Sequence, residues 1–252
     1  MENESNAKES GSLTISYVDL GNGPRRLTIY LPAGWPDVRP EAVLYYLHGA
    51  GYDDTSLLGR EGMETNFKQK CDKAIAKRDI PPTIIVCPHY SDATTVEDAV
   101  GTVALAANTL RKLVSYVEPT FLCRVDRNHR GIAGFSMGGA MVWEALASSG
   151  DLFSTYVPIG SDCWLLGYEG GRHDPRGTAS LLTRRMSEFG KIRTIKAWCG
   201  ELDPCAPWAE RQVDEMNRQG IEHVTFCIVK GVGHATSSVR PAIIDCLRSL
   251  GM

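Results

Sequence analysis

Residues 131–139 read GIAGFSMGG, a short apolar run that leads into Gly134-Phe135-Ser136-Met137-Gly138-Gly139. Residues 131–134 suit a buried strand, and residues 139–148 suit a helix. A serine between them sits on a sharp strand-to-helix turn, where the backbone is strained and flanking glycines leave room for it. The turn lifts the Ser136 hydroxyl out of the sheet. It also places the Met137 N–H at a helix N-terminus, where it can meet a developing oxyanion. The pattern predicts a nucleophile; the bland counterpart is a glycine-rich turn with an idle serine.

The same alternation extends to both sides. Strand-type runs occupy residues 13–18, 26–31, 43–47, 83–87, 155–159, 192–198 and 223–229. The first two alternate apolar and polar, as half-exposed antiparallel strands do. The later ones are mostly continuous apolar runs, which suit a parallel sheet covered on both faces. Helix-type stretches fall at 61–77, 98–117, 178–189, 206–219 and 239–250, with Pro119, Gly190 and Gly220 marking three of the ends. This predicts one α/β domain over residues 12–252: a mostly parallel central sheet, antiparallel N-terminal strands and helices on both faces. Residues 1–11, MENESNAKESG, are expected to form a disordered polar tail. They lack the basic-then-apolar order of a signal peptide.

Composition narrows the function classes. Of 252 residues, 43% are hydrophobic and 23% charged, which argues against disorder, collagen-like repeats and a bare coiled coil. A net charge of −3 gives no electrostatic reason to expect nucleic acid or an anionic membrane as partner. No apolar run approaches the roughly 18 residues of a spanning helix. The eight cysteines contain no C-x2-C pair, against a zinc ribbon, and are too sparse for a disulfide scaffold. Those in apolar runs, such as Cys87 and Cys227, are expected to be small buried thiols. Cys199 and Cys205 flank the turn GELDP and allow a local bridge.

A serine nucleophile needs a base, and the base needs an orienting acid, in the order Ser, Asp or Glu, His. Three histidines follow Ser136. His223 opens a strand and reads as a surface residue, and His173 lies in the glycine-rich stretch 167–177. His234, in GVGH just after the last strand, is the favoured base. The preceding strand runs into Gly200-Glu201-Leu202-Asp203-Pro204, where Glu201 and Asp203 are both candidates. Asp203, deeper in the turn and pinned by a proline, is favoured. A second oxyanion donor is expected after the third strand, in His48-Gly49-Ala50-Gly51, with Ala50 N–H preferred. His48 is expected to brace that loop.

Together, GIAGFSMGG, the preceding DRNHR, the upstream LYYLHGAG and the downstream KGVGH resemble the feruloyl esterases of carbohydrate esterase family 1. These are esterase-D-like α/β hydrolases. The resemblance runs from about Leu13 to the C-terminus. It includes IGSDCW (residues 159–164), similar to the family's S-G-D-x-W element, although Gly160-Ser161-Asp162 stands where the family often has Ser-Gly-Asp. It implies an α/β-hydrolase fold, a triad at Ser136, Asp203 and His234, and hydroxycinnamate or acetate esters of plant cell-wall xylan as substrates. Feruloylated arabinoxylan or a smaller ester is the expected partner, with no metal or organic cofactor. Gly49, Gly51, Asp162, Trp164 and Trp208 are the expected substrate-binding residues. Leu165, Leu166, Tyr168 and Pro207 are further candidates for the cleft wall, and residues 167–177 for a mobile rim. The resemblance implies extracellular action; no export signal is visible, so a cytoplasmic location stays open. Nothing in the sequence sets the oligomeric state. The rival readings are a short-acyl or acetyl-xylan esterase and an idle carbohydrate-binding module.

Overall fold

The computed structural model describes residues 10–21, 23–123, 125–190 and 192–251. Most of the expected tail therefore lies outside the described residues. Ser10 and Gly11 do not behave as tail. The Ser10 hydroxyl and the Gly11 N–H both donate to Asp72, at 2.9 and 2.8 Å.

Every expected strand is present. They are β1 (Ser12–Asp19), β2 (Pro24–Leu31), β3 (Ala42–Leu47), β6 (Thr83–Pro88), β7 (Arg130–Phe135), β8 (Thr155–Ile159), β9 (Thr194–Gly200) and β10 (Val224–Val229). Among the described residues these form one sheet in the order β1-β2-β6-β3-β7-β8-β9-β10. β1 pairs with β2, and β2 with β6, antiparallel; from β6 to β10 every pairing is parallel. An antiparallel entry followed by parallel crossovers is the arrangement expected from the run pattern.

Successive strand residues point to opposite faces. Val43, Tyr45 and Leu47 of β3 join one apolar cluster, and Ala42, Leu44 and Tyr46 join the other. Helices α3 (Ala106–Thr120) and α4 (Met137–Ser148) cover the first face through Leu110, Leu113, Val117, Met141 and Trp143. Helices α1 (Asn66–Ala76) and α8 (Val239–Leu250) cover the second through Phe67, Cys71, Ile243 and Leu247. Burial on both faces explains why the central strands carry no polar alternation. β2 departs from its half-exposed reading, because β1 and β6 flank it and residues 27–31 are all buried. β1, at the sheet edge, is half-exposed as expected but not by apolar-polar alternation: Leu13 and Val18 are buried, while the apolar Ile15 and Tyr17 are exposed.

Several helix boundaries move, among them the expected 178–189 helix, which runs over Pro175–Met186. The stretch 61–77 divides into a small hairpin, β4 (Gly59–Arg60) with β5 (Met63–Glu64), and α1, which Thr65 caps by accepting from the Phe67 N–H. The stretch 98–117 is two helices, α2 (Val96–Val103) and α3. They break at Leu105, whose N–H takes a tight bond to Thr102 O at 3.1 Å. Pro119 falls inside the last turn of α3 rather than after it. The glycine-rich stretch 167–177 is ordered as a short helix, α5 (Tyr168–His173), and the start of α6 (Pro175–Met186), which Asp174 caps. The helix α7 (Ala206–Arg218) follows the turn after β9.

All eight cysteines are free thiols, six of them buried, so the local bridge between Cys199 and Cys205 is absent. Among the described residues no helix is long and apolar enough to cross a membrane.

Candidate active site

The site is assembled at the carboxyl ends of the parallel strands, where such sheets gather their ligands. Ser136 follows β7 with φ 54 and ψ −116, a conformation that costs energy in a residue with a Cβ. The flanking glycines show why no other residue fits. A Cβ on Gly134 would lie 2.3 Å from Gly138 O, and one on Gly138 would lie 2.2 Å from Leu47 O. The turn is thus wedged against the end of β3. The Ser136 N–H donates to Ile159 O at 2.8 Å, which ties the turn to β8 as well.

His234 comes from the loop after β10 and Asp203 from the loop after β9. His234 Nε2 lies 3.0 Å from Ser136 Oγ. His234 Nδ1 lies 3.0 and 2.9 Å from the two Asp203 oxygens. A carboxylate can only accept, so Nδ1 carries the proton and Nε2 is left to accept from the serine hydroxyl. Asp203 is buried, which by itself would raise its carboxyl. The hydrogen bonds from His234 and the Cys205 N–H outweigh burial and hold it below the usual carboxylate range. An ionised acid next to the imidazole is the arrangement that stabilises an imidazolium.

The structure brings Asp203 and not Glu201 to the histidine. Glu201 accepts from the Gly231 N–H at 2.8 Å, so it fastens the loop that carries His234. The Leu202 N–H to Val232 O bond, at 2.8 Å, adds a second tie. His173 pairs with Glu169, and His223 with Glu222, both exposed and apart from the triad.

The loop after β3 is held from several sides. Buried Asp54 accepts from Arg26 and from Thr28, the latter at 2.6 Å. The Gly51 N–H donates to Ala93 O, and Gly51 sits at φ 73, where a side chain would be strained. His48 Nδ1 donates to Gly49 O at 2.8 Å, while Tyr90 donates to His48 O. Burial lowers the His48 imidazole to about 4, so it is a neutral brace near neutral pH. Ala50 and Met137 both line the cavity at Ser136. The Met137 N–H opens α4 and has no acceptor within the helix.

That cavity has a volume of about 310 Å³. One wall carries Thr94, Thr95, Val96 and Ala99, and another carries Gly160, Ser161, Trp164, Tyr168 and Arg172. A Cβ on Gly160, at φ 59, would come within 3.0 Å of an Asp203 oxygen, so this floor needs glycine. Of the expected binding residues, Trp164 lines the cavity, with Tyr168 packed edge-on to its ring at 5.1 Å. Asp162 and Trp208 do not line it, and they flank Arg172 instead. Gly49 and Gly51 shape the turn around Ala50 rather than the wall. Leu165, Leu166 and Pro207 stay outside. Sequence reasoning missed Arg172 and the Thr94–Thr95 wall; the signal for the latter was its place just beyond the carboxyl end of a strand.

A larger groove of about 800 Å³ lies beyond the same 94–99 segment, with Ala93, Glu97 and Asp98 on its wall and none of the triad. Among the described residues, Asp203, Cys205 and His234 offer metal-ligating atoms within 4.8 Å of one another. The first and last already bond each other, and burial beside Asp203 pushes the Cys205 thiol up to about 12.

The chain is similar to several known proteins in sequence and in fold. Endo-1,4-beta-xylanase Y of Acetivibrio thermocellus is 26% identical over 157 residues, 57% of this chain and 14% of that much longer protein. A solved mutant of the feruloyl esterase module from Clostridium thermocellum, complexed with sinapinate, superposes with a TM-score of 0.79 at 21% identity, over 96% of this chain and 88% of that one. The ferulic acid esterase of the anaerobic fungus Anaeromyces mucronatus gives 0.72 at 16%, over 96% and 91%. The S-formylglutathione hydrolase of Staphylococcus aureus gives 0.67 at 18%, over 96% and 99%. These likenesses establish an α/β-hydrolase fold. The model of the family described as "Putative esterase" matches residues 20–164, a span that contains Ala50, Ser136 and Trp164. The chain belongs to this esterase family.

Proposed function

We propose that this protein is a serine carboxylesterase that hydrolyses hydroxycinnamoyl esters, such as the feruloyl and p-coumaroyl esters of plant cell-wall xylan. The observation that carries the chemistry is the line from Ser136 Oγ through His234 to buried Asp203, opening on a cavity with an aromatic wall. His234 Nε2 takes the Ser136 proton as Oγ attacks the ester carbonyl. The Met137 and Ala50 N–H groups hold the oxyanion, and Asp203 stabilises the imidazolium. Collapse of the tetrahedral intermediate expels the alcohol, which His234 protonates. Water then enters, gives its proton to His234, and releases the acid by the reverse path.

The cavity supports the substrate class. Its volume lies at the small end for ligand sites, suited to one aromatic acid rather than a long acyl chain. Trp164 and Tyr168 supply the apolar wall such an acid needs. The fold neighbours that act on ferulate, and the xylanase that matches part of the chain, point the same way. Residues 12–252 are read as one catalytic domain acting on extracellular plant polysaccharide.

The test compares turnover of methyl ferulate with that of p-nitrophenyl acetate and an acetylated xylo-oligosaccharide. A clear preference for methyl ferulate is expected. Turnover confined to the acetyl esters overturns the hydroxycinnamoyl reading. No turnover of any ester, with no labelling of Ser136 by an organophosphonate, overturns the esterase reading.

A further inference from the structure

Trp164, Tyr168 and Arg172 stand four residues apart and all line the cavity. Tyr168 and Arg172 share one face of α5, one turn apart. The Trp164 and Tyr168 rings meet edge to face, and the Arg172 guanidinium lies 4.0 Å over the Tyr168 ring. The wall is therefore an aromatic ladder that ends in a guanidinium.

Arg172 is held tightly. Nε lies 3.3 and 3.2 Å from the two Asp162 oxygens, and Nη2 lies 3.3 Å from Asp162 and 3.5 Å from Cys205 Sγ. The Asp162 side chain is only 4% exposed and Arg172 17%. Trp208 lies beside the guanidinium at 5.9 Å. These contacts fix the fork with Nε and Nη2 occupied, while no hydrogen bond to Nη1 is found among the described residues. A guanidinium has five N–H donors in a rigid plane, so a neutralised, immobilised one still presents directed donors. Because Asp162 already balances the charge, those donors suit an uncharged oxygen better than a carboxylate.

We infer that Arg172 is a specificity residue that donates hydrogen bonds to the ring oxygens, hydroxyl or methoxy, of a hydroxycinnamoyl group stacked along Trp164 and Tyr168. Asp162 is its positioning residue. A site built to bond a substrate oxygen rejects the analogue that lacks it, because the polar group is then left unpaired. This inference rests on the hydroxycinnamoyl reading, and its test is separable from that of the reading itself.

The experiment measures kcat/KM of the wild-type protein and of Arg172→Met, Arg172→Lys and the charge-free pair Arg172→Met/Asp162→Asn. The substrates are methyl ferulate, methyl p-coumarate, methyl cinnamate and the methyl ester of 4-carboxycinnamate. The wild type is expected to favour ferulate and p-coumarate over cinnamate. In Arg172→Met and in the double variant that ratio should fall roughly ten- to a hundredfold, mostly through KM, the factor a hydrogen bond from a charged donor supports. Arg172→Lys should recover only part of it. The double variant leaves no buried unpaired carboxylate, so it separates lost recognition from lost folding. Direct binding of methyl ferulate and methyl cinnamate to Ser136→Ala, with and without Arg172→Met, should show the same selective loss. An equal loss on ferulate and cinnamate, an unchanged ratio, or a wild-type preference for the carboxylated ester overturns the inference. A wild type that cleaves none of these cinnamoyl esters overturns the underlying reading instead.

Discussion

The turn around Ser136 and the segment from Asp162 to Arg172 line the same cavity, yet they are held in place differently. At the turn, the fixed points are backbone atoms. Gly134, Gly138 and Gly139 each leave under 3 Å between a would-be Cβ and its neighbours, and the loop at Ala50 is locked by Asp54, Tyr90 and Ala93. In the segment, the fixed points are side chains: a part-buried ion pair, an edge-to-face ring contact, a guanidinium over a ring and a short helix. Backbone wedging tolerates almost no substitution, which suits chemistry that must not drift. Side-chain scaffolding can be rebuilt residue by residue, which suits selection among related substrates.

Perturbing the first region should cost most. Ser136→Ala should lower kcat on any ester by about 10⁶-fold, while thermal unfolding stays close to wild type. Retained turnover in the purified variant would break the nucleophile assignment. Asp203→Asn should follow at about 10⁴-fold, since an amide favours the wrong imidazole tautomer. A small loss would mean that another acid serves His234, with Glu201 the first to examine. Gly138→Ala forces a Cβ against Leu47 O and should destabilise the fold by about 2–3 kcal/mol, read as a lower urea midpoint.

The His48 brace should make stability acid-sensitive. Its folded imidazole titrates near 4, against an ordinary 6.5. As pH falls through about 6.5 the unfolded chain takes up a proton that the folded protein refuses until about 4, so stability is full above that window and declines within it. Between pH 7 and pH 5 the decline should be about 2 kcal/mol, and His48→Phe should abolish that share of it. An identical pH profile in the variant would remove the brace from the account.

The second region should respond more mildly. Trp164→Ala should lower kcat/KM on methyl ferulate about tenfold through KM, with far less effect on p-nitrophenyl acetate. A comparable loss on both would make Trp164 part of the frame rather than of the selective wall.

The same contrast decided what could be read in advance. GIAGFSMGG and GVGH were legible as candidate site turns because tight backbone needs glycine at set spacings, and spacing is a property of the chain. The parallel sheet was legible because burial on both faces removes polar alternation from a strand. Asp203 over Glu201 rested on its depth in one turn, and the structure shows Glu201 occupied by Gly231. The stretch 167–177 looked like loose rim because its glycines hid a helix that only packing stabilises. Arg172 was invisible because Cys205 and Trp208 come from the turn and helix after β9, and because its pairing with Asp162, ten residues away, follows no helical or strand spacing.

The sequence by itself therefore determined the α/β frame and the order along it of the proposed nucleophile, acid and base, each after its own strand. Local sterics and hydrophobic period are enough for that. Only the tertiary structure decided the shape and donors of the cavity, the break between α2 and α3, and the pairing of Asp162 with Arg172. Those depend on which side chains meet across distances that no spacing rule records.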